Sequence, residues 1–136
     1  MDAATCRTHL AAARAGRLAT VRPDGRPHVV VCCFALEGDR LWTAVDAKPK
    51  RTTRLQRLAN VRANPAASLL VDHYEEDWER LWWVRADGAA EVVEGGATRD
   101  RALAALTAKY EQYARSPPGG PVIAITVERL SGWSAS

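Results

Sequence analysis

Short apolar segments separated by tight turns constrain the fold of this chain more than any other feature. Leu18–Arg22 is followed by the turn Pro23-Asp24-Gly25, in which proline fixes φ and glycine accepts a positive φ. The apolar run His28–Leu36 comes next, and Glu37-Gly38-Asp39 then turns the chain into Leu41–Val45. Because the connections are this short, the first three strands are predicted to form a meander.

The rest of the sequence predicts further strands and only a few helices. His28–Leu36 is apolar on both faces, which is typical of an interior barrel strand, and Asp87-Gly88 is expected to be a turn or a bulge. Strands with few helices favour a mainly β fold of six or seven antiparallel strands, a barrel in one domain over residues 1–136. The other predicted strands are Ala67–Val71, Leu81–Arg85, Ala89–Val93 and Val122–Val127, with Ser131-Gly132-Trp133 as a tail. The predicted helices are Thr5–Ala15 with Gly16 at C′, a three-turn helix ending before Asn64-Pro65, and one capped by Thr98.

Composition places the chain among ordinary globular domains. Its 136 residues are 47% hydrophobic and 26% charged, and the net charge of +3 is too small to indicate a nucleic-acid partner. The longest apolar run, Val29–Leu36, is far too short to cross a bilayer, and no signal-peptide pattern opens the sequence. We therefore expect a cytoplasmic protein with no membrane partner.

Three cysteines form an odd set. Cys32 and Cys33 are adjacent, so on a strand they would point to opposite faces and could neither share a metal nor form an ordinary disulfide. No Cys/His spacing matches a zinc site. The sequence therefore predicts small core residues in a reduced compartment, and no metal.

The strongest local signal for chemistry is a basic run. Six basic and no acidic residues lie between Lys48 and Arg62, and Lys50, Arg54 and Arg57 share one helix face at i, i+4 and i+7. With Arg51 and Thr52 at the helix start, free N–H groups and cations would form a phosphate site. The alternative is a solvated helix face paired with the five acids between residues 72 and 79.

Five tryptophans are the second signal, since the chain has a single phenylalanine. Trp82 and Trp83 are adjacent, so one is predicted to face inward and the other outward, toward a subunit or a planar ligand. There is no nucleophile elbow, Rossmann fingerprint or P-loop. No catalytic residue stands out, although His28 and Tyr74 are conceivable proton donors.

Several segments together resemble the pyridoxamine 5′-phosphate oxidase-like split barrels. Leu18–His28, with the apolar strand after it, resembles their opening hairpin. Trp42–Arg54 and Leu58–Pro65 are similar to the phosphate-gripping segment of the actinobacterial branch, whose members are generally assigned as oxidoreductases dependent on the deazaflavin coenzyme F-420. Ser68–Trp78 and Leu81–Gly88 extend the match, and Ser131-Gly132-Trp133-Ser134 closes it. One departure is Val31, where the branch pattern leads us to expect proline.

This resemblance implies a two-fold homodimer with a cofactor, coenzyme F-420 or FMN, in each of two clefts between the subunits. The implied activity is hydride transfer to a small conjugated substrate. A carrier of flavin, deazaflavin or tetrapyrrole without turnover is the main alternative, and a nucleic-acid-binding barrel is a minor one. The implied phosphate ligands are Lys50, Arg51, Thr52, Arg54 and Arg57. The implied ring contacts are Val30, Val31, Cys32, Ala44, Val45 and Asp46, with Trp82, Trp83 and Trp133 as a wall from the partner subunit.

Overall fold

The computed structural model describes residues 1–45 and 51–136, and only the backbone of residues 51–55. Its strands are β1 (Gly16–Val21), β2 (Pro27–Cys32), β3 (Ala35–Glu37), β4 (Arg40–Ala44), β5 (Ala66–His73), β6 (Trp82–Val93) and β7 (Val122–Ser134). Its helices are α1 (Ala3–Ala12), α2 (Arg51–Ala63), α3 (Gly96–Lys109) and α4 (Glu111–Arg115). In this described part, seven strands form one antiparallel sheet of order β2-β1-β5-β6-β7-β4-β3. The predicted mainly β fold class is confirmed.

The two edge strands of this sheet are neighbours in the sequence. Only Cys33 and Phe34 separate the end of β2 from the start of β3. A flat sheet would hold these edges about 29 Å apart, whereas two intervening residues span at most about 11 Å. The sheet therefore curls into a split half-barrel whose edges meet at Cys33-Phe34.

The prediction of one interior strand over His28–Leu36 is wrong in two respects. The segment breaks into β2 and β3, and β2 is an edge strand whose Val29 and Val31 are 61% and 67% exposed. The strand buried on both faces is β4, because the barrel interior covers Leu41 and α3 packs over Trp42.

The hydrophobic core has two parts. Inward side chains of the sheet fill the barrel, while a second cluster lies between the sheet and α3. The barrel cluster includes Leu18, Phe34, Leu69, Val71, Val84, Ile123 and Ile125. The α3 cluster includes Trp42, Ala102, Leu106, Tyr110, Val122 and Ala124. Because β7 contributes to both clusters, it ties α3 to the barrel.

Other predicted boundaries need correction. Helix α1 ends at Ala12, and Gly16 opens β1 instead of capping the helix; a Cβ there would lie 2.9 Å from Leu69 Cδ1, so a larger residue would require the Leu69 side chain to shift. Helix α3 starts two residues before Thr98 and has Gly95 at its N-cap. The predicted turn at Gly25 is confirmed, with φ of 89°.

The two predicted strands around Asp87-Gly88 form one continuous strand, β6. Of the predicted turn or bulge at Asp87-Gly88, the bulge is confirmed, because the β6–β7 register shifts between these residues and leaves Glu128 without a partner in the ladder. The predicted tail around Trp133 is the second half of β7. Among the described helices, none is both long enough and apolar enough to span a bilayer.

Candidate functional site

The break between β2 and β3 is held by side-chain hydrogen bonds from two other elements. The Thr43 hydroxyl donates to the Cys33 carbonyl at 2.8 Å. The Phe34 N–H donates to the Tyr110 hydroxyl at 3.0 Å, and that hydroxyl lies 2.9 Å and 3.0 Å from the carbonyl oxygens of Phe34 and Arg14. Burial raises the pKa of Tyr110 to about 12, so the hydroxyl stays protonated and can donate to one of these carbonyls.

A pocket of about 260 Å³ opens at this break. Its described lining is Ala15, Val31, Cys32, Cys33, Ala44, Arg57 and Tyr113. Four residues predicted as cofactor ligands therefore come together here from two strands and a helix: Val31, Cys32, Ala44 and Arg57. We call this cavity the strand-break pocket. The expectation that Cys32 and Cys33 face opposite sides agrees with their packing, because Cys32 belongs to the barrel cluster and Cys33 packs against the α3 cluster; both contribute to the pocket lining as free cysteines.

The other predicted ligands of this group are placed as follows. Val30 and Val45 are partly buried and pack against the barrel core, outside the described pocket lining. Asp46 and Lys50 lie outside the described residues. Arg51, Thr52 and Arg54 belong to the first turns of α2, where the backbone alone is described.

Arg57 places a buried positive charge in the pocket lining. It is 8% exposed, and its Nε is buried without a hydrogen-bond partner among the described residues. A buried guanidinium is costly unless an acceptor or an anion satisfies it. The arrangement can therefore hold an anionic group in the pocket.

A buried polar network fixes the helix that carries Arg57. Asn60 is fully buried, and its Nδ2 donates to the Thr20 hydroxyl on β1 at 3.1 Å. Gln56 Nε2 donates in turn to Asn60 Oδ1 at 2.6 Å. Since buried polar groups need such partners, the network sets the position of α2 on the barrel.

His28 lies near Arg57 on the same side of the barrel. Its Nδ1 is buried without a partner among the described residues. Burial lowers the pKa of His28, and the charges of Arg22 and Arg57 lower it further. The imidazole is therefore neutral at pH 7, which disfavours a role as a cationic proton donor.

The predicted tryptophan wall lies in a second cavity, a groove of about 390 Å³. Trp82 stacks on His9 of α1 with ring centroids 4.0 Å apart, and Trp83 pairs across the sheet with Trp133. Tyr74, the other conceivable proton donor, also lines this groove and is exposed. We call this cavity the tryptophan groove; its remaining lining is Leu70, Asp72, His73, Leu81 and Arg85.

The strand-break pocket and the tryptophan groove both border the same outward face of the sheet. Arg17 is the cross-strand partner of Val31 on one side and of Leu70 on the other. Two strand spacings of about 4.8 Å therefore separate the two cavity rims by about 10 Å. The face between them carries the Arg17–Asp72 ion pair at 3.0 Å.

The acidic stretch has its own partners. Asp72 pairs with Arg17, and Glu75 contacts His73 and lies 3.9 Å from Arg80. Arg62, in the last turn of α2, pairs with Glu94 at 3.6 Å. Among the side chains that the structure describes, no ion pair joins α2 to the acidic stretch. No group of three or more metal-ligating side chains occurs among them either.

Lys109 ends α3 beside the pocket and was not among the sequence candidates. Its Nζ is buried, lies 4.0 Å from the centroid of the Phe34 ring, and has no hydrogen-bond acceptor among the described residues. Burial, followed by the charge of Arg14, lowers the pKa of Lys109 to about 8. The sequence did not indicate a role for Asn60, Tyr110 or Lys109 at this site, because each of them contacts residues that are distant in the sequence.

The Lys109 environment predicts a pH-dependent stability. Folding favours the neutral amine, so the unfolded chain binds a proton at Lys109 at a higher pH than the folded chain does. The free energy of unfolding therefore decreases as the pH falls from 10.5 toward 8. Lys109→Met should therefore be more stable than wild type at pH 7.5, by roughly 1 kcal/mol after allowance for solvent screening. That advantage should shrink at pH 10.

Denaturant unfolding at both pH values measures this difference. Lys109→Arg is the matched control, because arginine keeps its charge throughout this range and should bring no gain. An advantage of Lys109→Met that is the same at pH 7.5 and pH 10 would show that titration of the amine is not the cause.

A family model described as pyridoxamine 5′-phosphate oxidase matches residues 3–134, nearly the whole chain. The chain belongs to the pyridoxamine 5′-phosphate oxidase family. No curated protein gives a significant match.

Several solved structures share the fold of this chain over almost its whole length. A conserved hypothetical protein of Mycobacterium tuberculosis is 23% identical, with a TM-score of 0.79 over 99% of this chain and 86% of that one. A FAD-binding protein of Mesorhizobium loti is 27% identical, with a TM-score of 0.72 over 97% of this chain and 94% of that one. A heme-binding protein of Mycobacterium smegmatis is 20% identical, with a TM-score of 0.71 over 96% of this chain and 56% of that one.

Proposed function

We propose that this chain is an oxidoreductase that binds a flavin-type cofactor by its phosphate and transfers a hydride to a small conjugated substrate. FMN and the deazaflavin coenzyme F-420 are the two proposed cofactors. The observation that carries the proposal is Arg57, buried in the strand-break pocket with an Nε that lacks a partner among the described residues. Membership of the pyridoxamine 5′-phosphate oxidase family supports it, as does the likeness to a FAD-binding protein.

The phosphate end of the proposed site fits α2. The first turn of a helix has N–H groups without intrahelical acceptors, and its dipole favours an anion. Arg51 begins α2, and Arg57 follows two turns later with its guanidinium in the pocket. A phosphate bound by Lys50, Arg51, Thr52 and Arg54 would also satisfy Arg57.

The ring end of the proposed site fits the pocket wall. Val31, Cys32 and Ala44 present small or aliphatic side chains, against which a planar ring can lie. The described pocket measures about 260 Å³, below the range of about 300–1,000 Å³ that is usual for small-molecule sites. The described lining therefore leaves part of such a ring uncovered.

We further propose that the missing wall belongs to a second copy of the chain. Val29, Val31, Leu70 and Trp133 are exposed on the outward face, an apolar surface that an isolated domain rarely leaves uncovered. A two-fold axis through this face would bring the tryptophan groove of one subunit over the strand-break pocket of the other. Trp82, Trp83 and Trp133 of the partner subunit would then form the outer wall of the cofactor site.

The proposed mechanism assigns binding and orientation to the chain's own residues. A bound flavin or deazaflavin supplies hydride chemistry. Arg57 holds the anionic end, and the aliphatic wall of Val31 and Ala44 excludes water from the ring face. Thr43 and Tyr110 keep the strand break in one conformation, so the geometry of the wall is preset. Neutral His28 can accept a hydrogen bond at the margin of the site.

The rival proposal is a carrier that binds a flavin or a tetrapyrrole without turnover. The observation in its favour is the tryptophan groove, an aromatic cavity of about 390 Å³ that also contains His73. Oxidation of reduced FMN or reduced coenzyme F-420 by quinone or unsaturated-lactone acceptors would support the oxidoreductase. Tight binding of either cofactor with no oxidation by any acceptor would support the carrier.

Cofactor identity is tested first by the absorbance spectrum and mass of any small molecule that copurifies, and by titration with FMN, coenzyme F-420 and hemin. Lys50→Ala/Arg51→Ala should weaken FMN or F-420 binding at least tenfold, because hydrogen bonds to charged groups each contribute about 1.5–3 kcal/mol. The control is Arg26→Ala, in the exposed turn. Unchanged affinity in the double variant would contradict the phosphate assignment.

A further inference from the structure

Cys33 differs from the other two thiols in its surroundings. Cys6 and Cys32 are 1% and 7% exposed, and burial raises the pKa of Cys32, so both are sheltered thiols. Cys33 is partly exposed and lines the strand-break pocket. It lies just beyond the end of β2, where its carbonyl accepts from the Thr43 hydroxyl. An entering molecule therefore meets a partly exposed cysteine at the break between β2 and β3.

Two cations flank this thiol. Arg57 lines the same pocket and is more than nine-tenths buried, with its Nε unpartnered among the described residues. The Lys109 amine is close enough for its charge to interact with both Cys33 and Cys32. The thiolate is the reactive form of a cysteine, and positive charge beside the pocket attracts anionic molecules toward it.

From this arrangement, we propose that Cys33 is a covalent capture site for anionic, electron-poor conjugated carbonyl compounds, and that its modification and cofactor binding exclude each other. The thiolate sulfur bonds to the β-carbon of the unsaturated carbonyl. The C=C electron pair moves to form an enolate, which takes up the proton released by the thiol. The addition needs no oxidant or reductant, and the anionic group of the compound pairs with Arg57.

The exclusion part of this inference rests on the proposed function, because it places the adduct where the cofactor would lie. It also gives the pocket a form of regulation: an empty site is inactivated by electrophiles, whereas an occupied site is protected. Capture itself depends only on the described pocket. The two parts can therefore be tested separately.

Capture is tested by brief N-ethylmaleimide treatment of the native full-length protein and mass spectrometry of the cysteine peptides. Cys33 should be labelled at least tenfold faster than Cys6 and Cys32, which become equivalent to it in denaturant. Equal rates in the native protein would overturn the proposal. Charge selectivity is measured by comparing alkylation with anionic iodoacetate and with neutral iodoacetamide. The rate with iodoacetate divided by the rate with iodoacetamide should be higher at Cys33 than for free cysteine. In Arg57→Met this ratio should fall. An unchanged ratio would overturn the assignment of an anionic ligand.

Exclusion is tested by repeating the labelling with saturating FMN or coenzyme F-420, while cofactor binding is followed independently by fluorescence. Bound cofactor should slow labelling of Cys33 at least fivefold, and the alkylated protein should lose cofactor affinity. Cys33→Ser, treated in the same way, should keep the affinity it has before treatment. Binding that leaves the labelling rate unchanged would overturn exclusion. Fast labelling of Cys33 in a protein that binds neither cofactor would support capture and refute the proposed function.

Discussion

Replacing Arg57 with methionine is expected to weaken binding of FMN or coenzyme F-420 by roughly 10- to 150-fold. The estimate follows from the 1.5–3 kcal/mol that a hydrogen bond to a charged group contributes, with 1.4 kcal/mol for each factor of ten. The Arg57 Nε has no hydrogen-bond partner among the described residues. Methionine has similar length and no charge, so the free energy of unfolding should stay unchanged or increase.

Calorimetric titration of each cofactor and denaturant unfolding measure the two effects on the same samples. Arg62→Met is the matched control, since it removes the same charge from the same helix at an exposed position. The phosphate proposal predicts a large loss of affinity for Arg57→Met and a small one for the control. Equal losses in both variants would indicate that only the general charge of α2 matters. Loss of stability in Arg57→Met would indicate that Arg57 has a structural role instead.

Gly88→Ser is expected to destabilise the protein by about 3 kcal/mol, the upper part of the range for an overpacked site. A Cβ at this position would lie 2.0 Å from the Thr126 carbonyl oxygen and 2.9 Å from its carbon. These are backbone atoms of the paired strand, so relief requires β6 and β7 to separate at the bulge. For a domain of this size, the melting temperature should fall by roughly 10 °C.

Gly95→Ser is the matched control, because a Cβ there meets nothing within 4 Å. Gly95 is the N-cap of α3 and has extended backbone angles, so serine can accept a hydrogen bond from the helix start. Its stability should change by only a few tenths of a kcal/mol, in the favourable direction. Thermal unfolding of both variants checks the contrast. Similar melting temperatures for the two would show that the bulge tolerates a side chain.

The parts of the fold that depend on local chemistry could be predicted from the sequence. The turn at Gly25 and the end of α2 before Pro65 each follow from the residues present. The break between β2 and β3 could not be predicted, because His28–Leu36 contains no glycine or proline to mark it. The chain changes direction there to pass from one sheet edge to the other, which is a tertiary requirement.

The candidate site shows the same division. Helical spacing predicted that Arg57 lies on the same helix face as Lys50 and Arg54. The structure places Arg57 in a pocket with Val31, Cys32 and Ala44. Its burial depends on the Asn60–Thr20 hydrogen bond, which joins residues 40 positions apart. Tyr110 reaches Phe34 across 76 positions. Such contacts form only when the barrel is packed, so no local sequence pattern predicts them.

The position of β7 between β6 and β4 determines when the sheet can be completed during synthesis. Until β7 leaves the ribosome, β4 can pair only with the short β3, and β6 only with β5. The nascent chain would therefore expose two unpaired strand edges, the kind of surface on which chains associate wrongly. The last strand to be made closes both at once, so premature termination before Val122 would leave a product prone to aggregation.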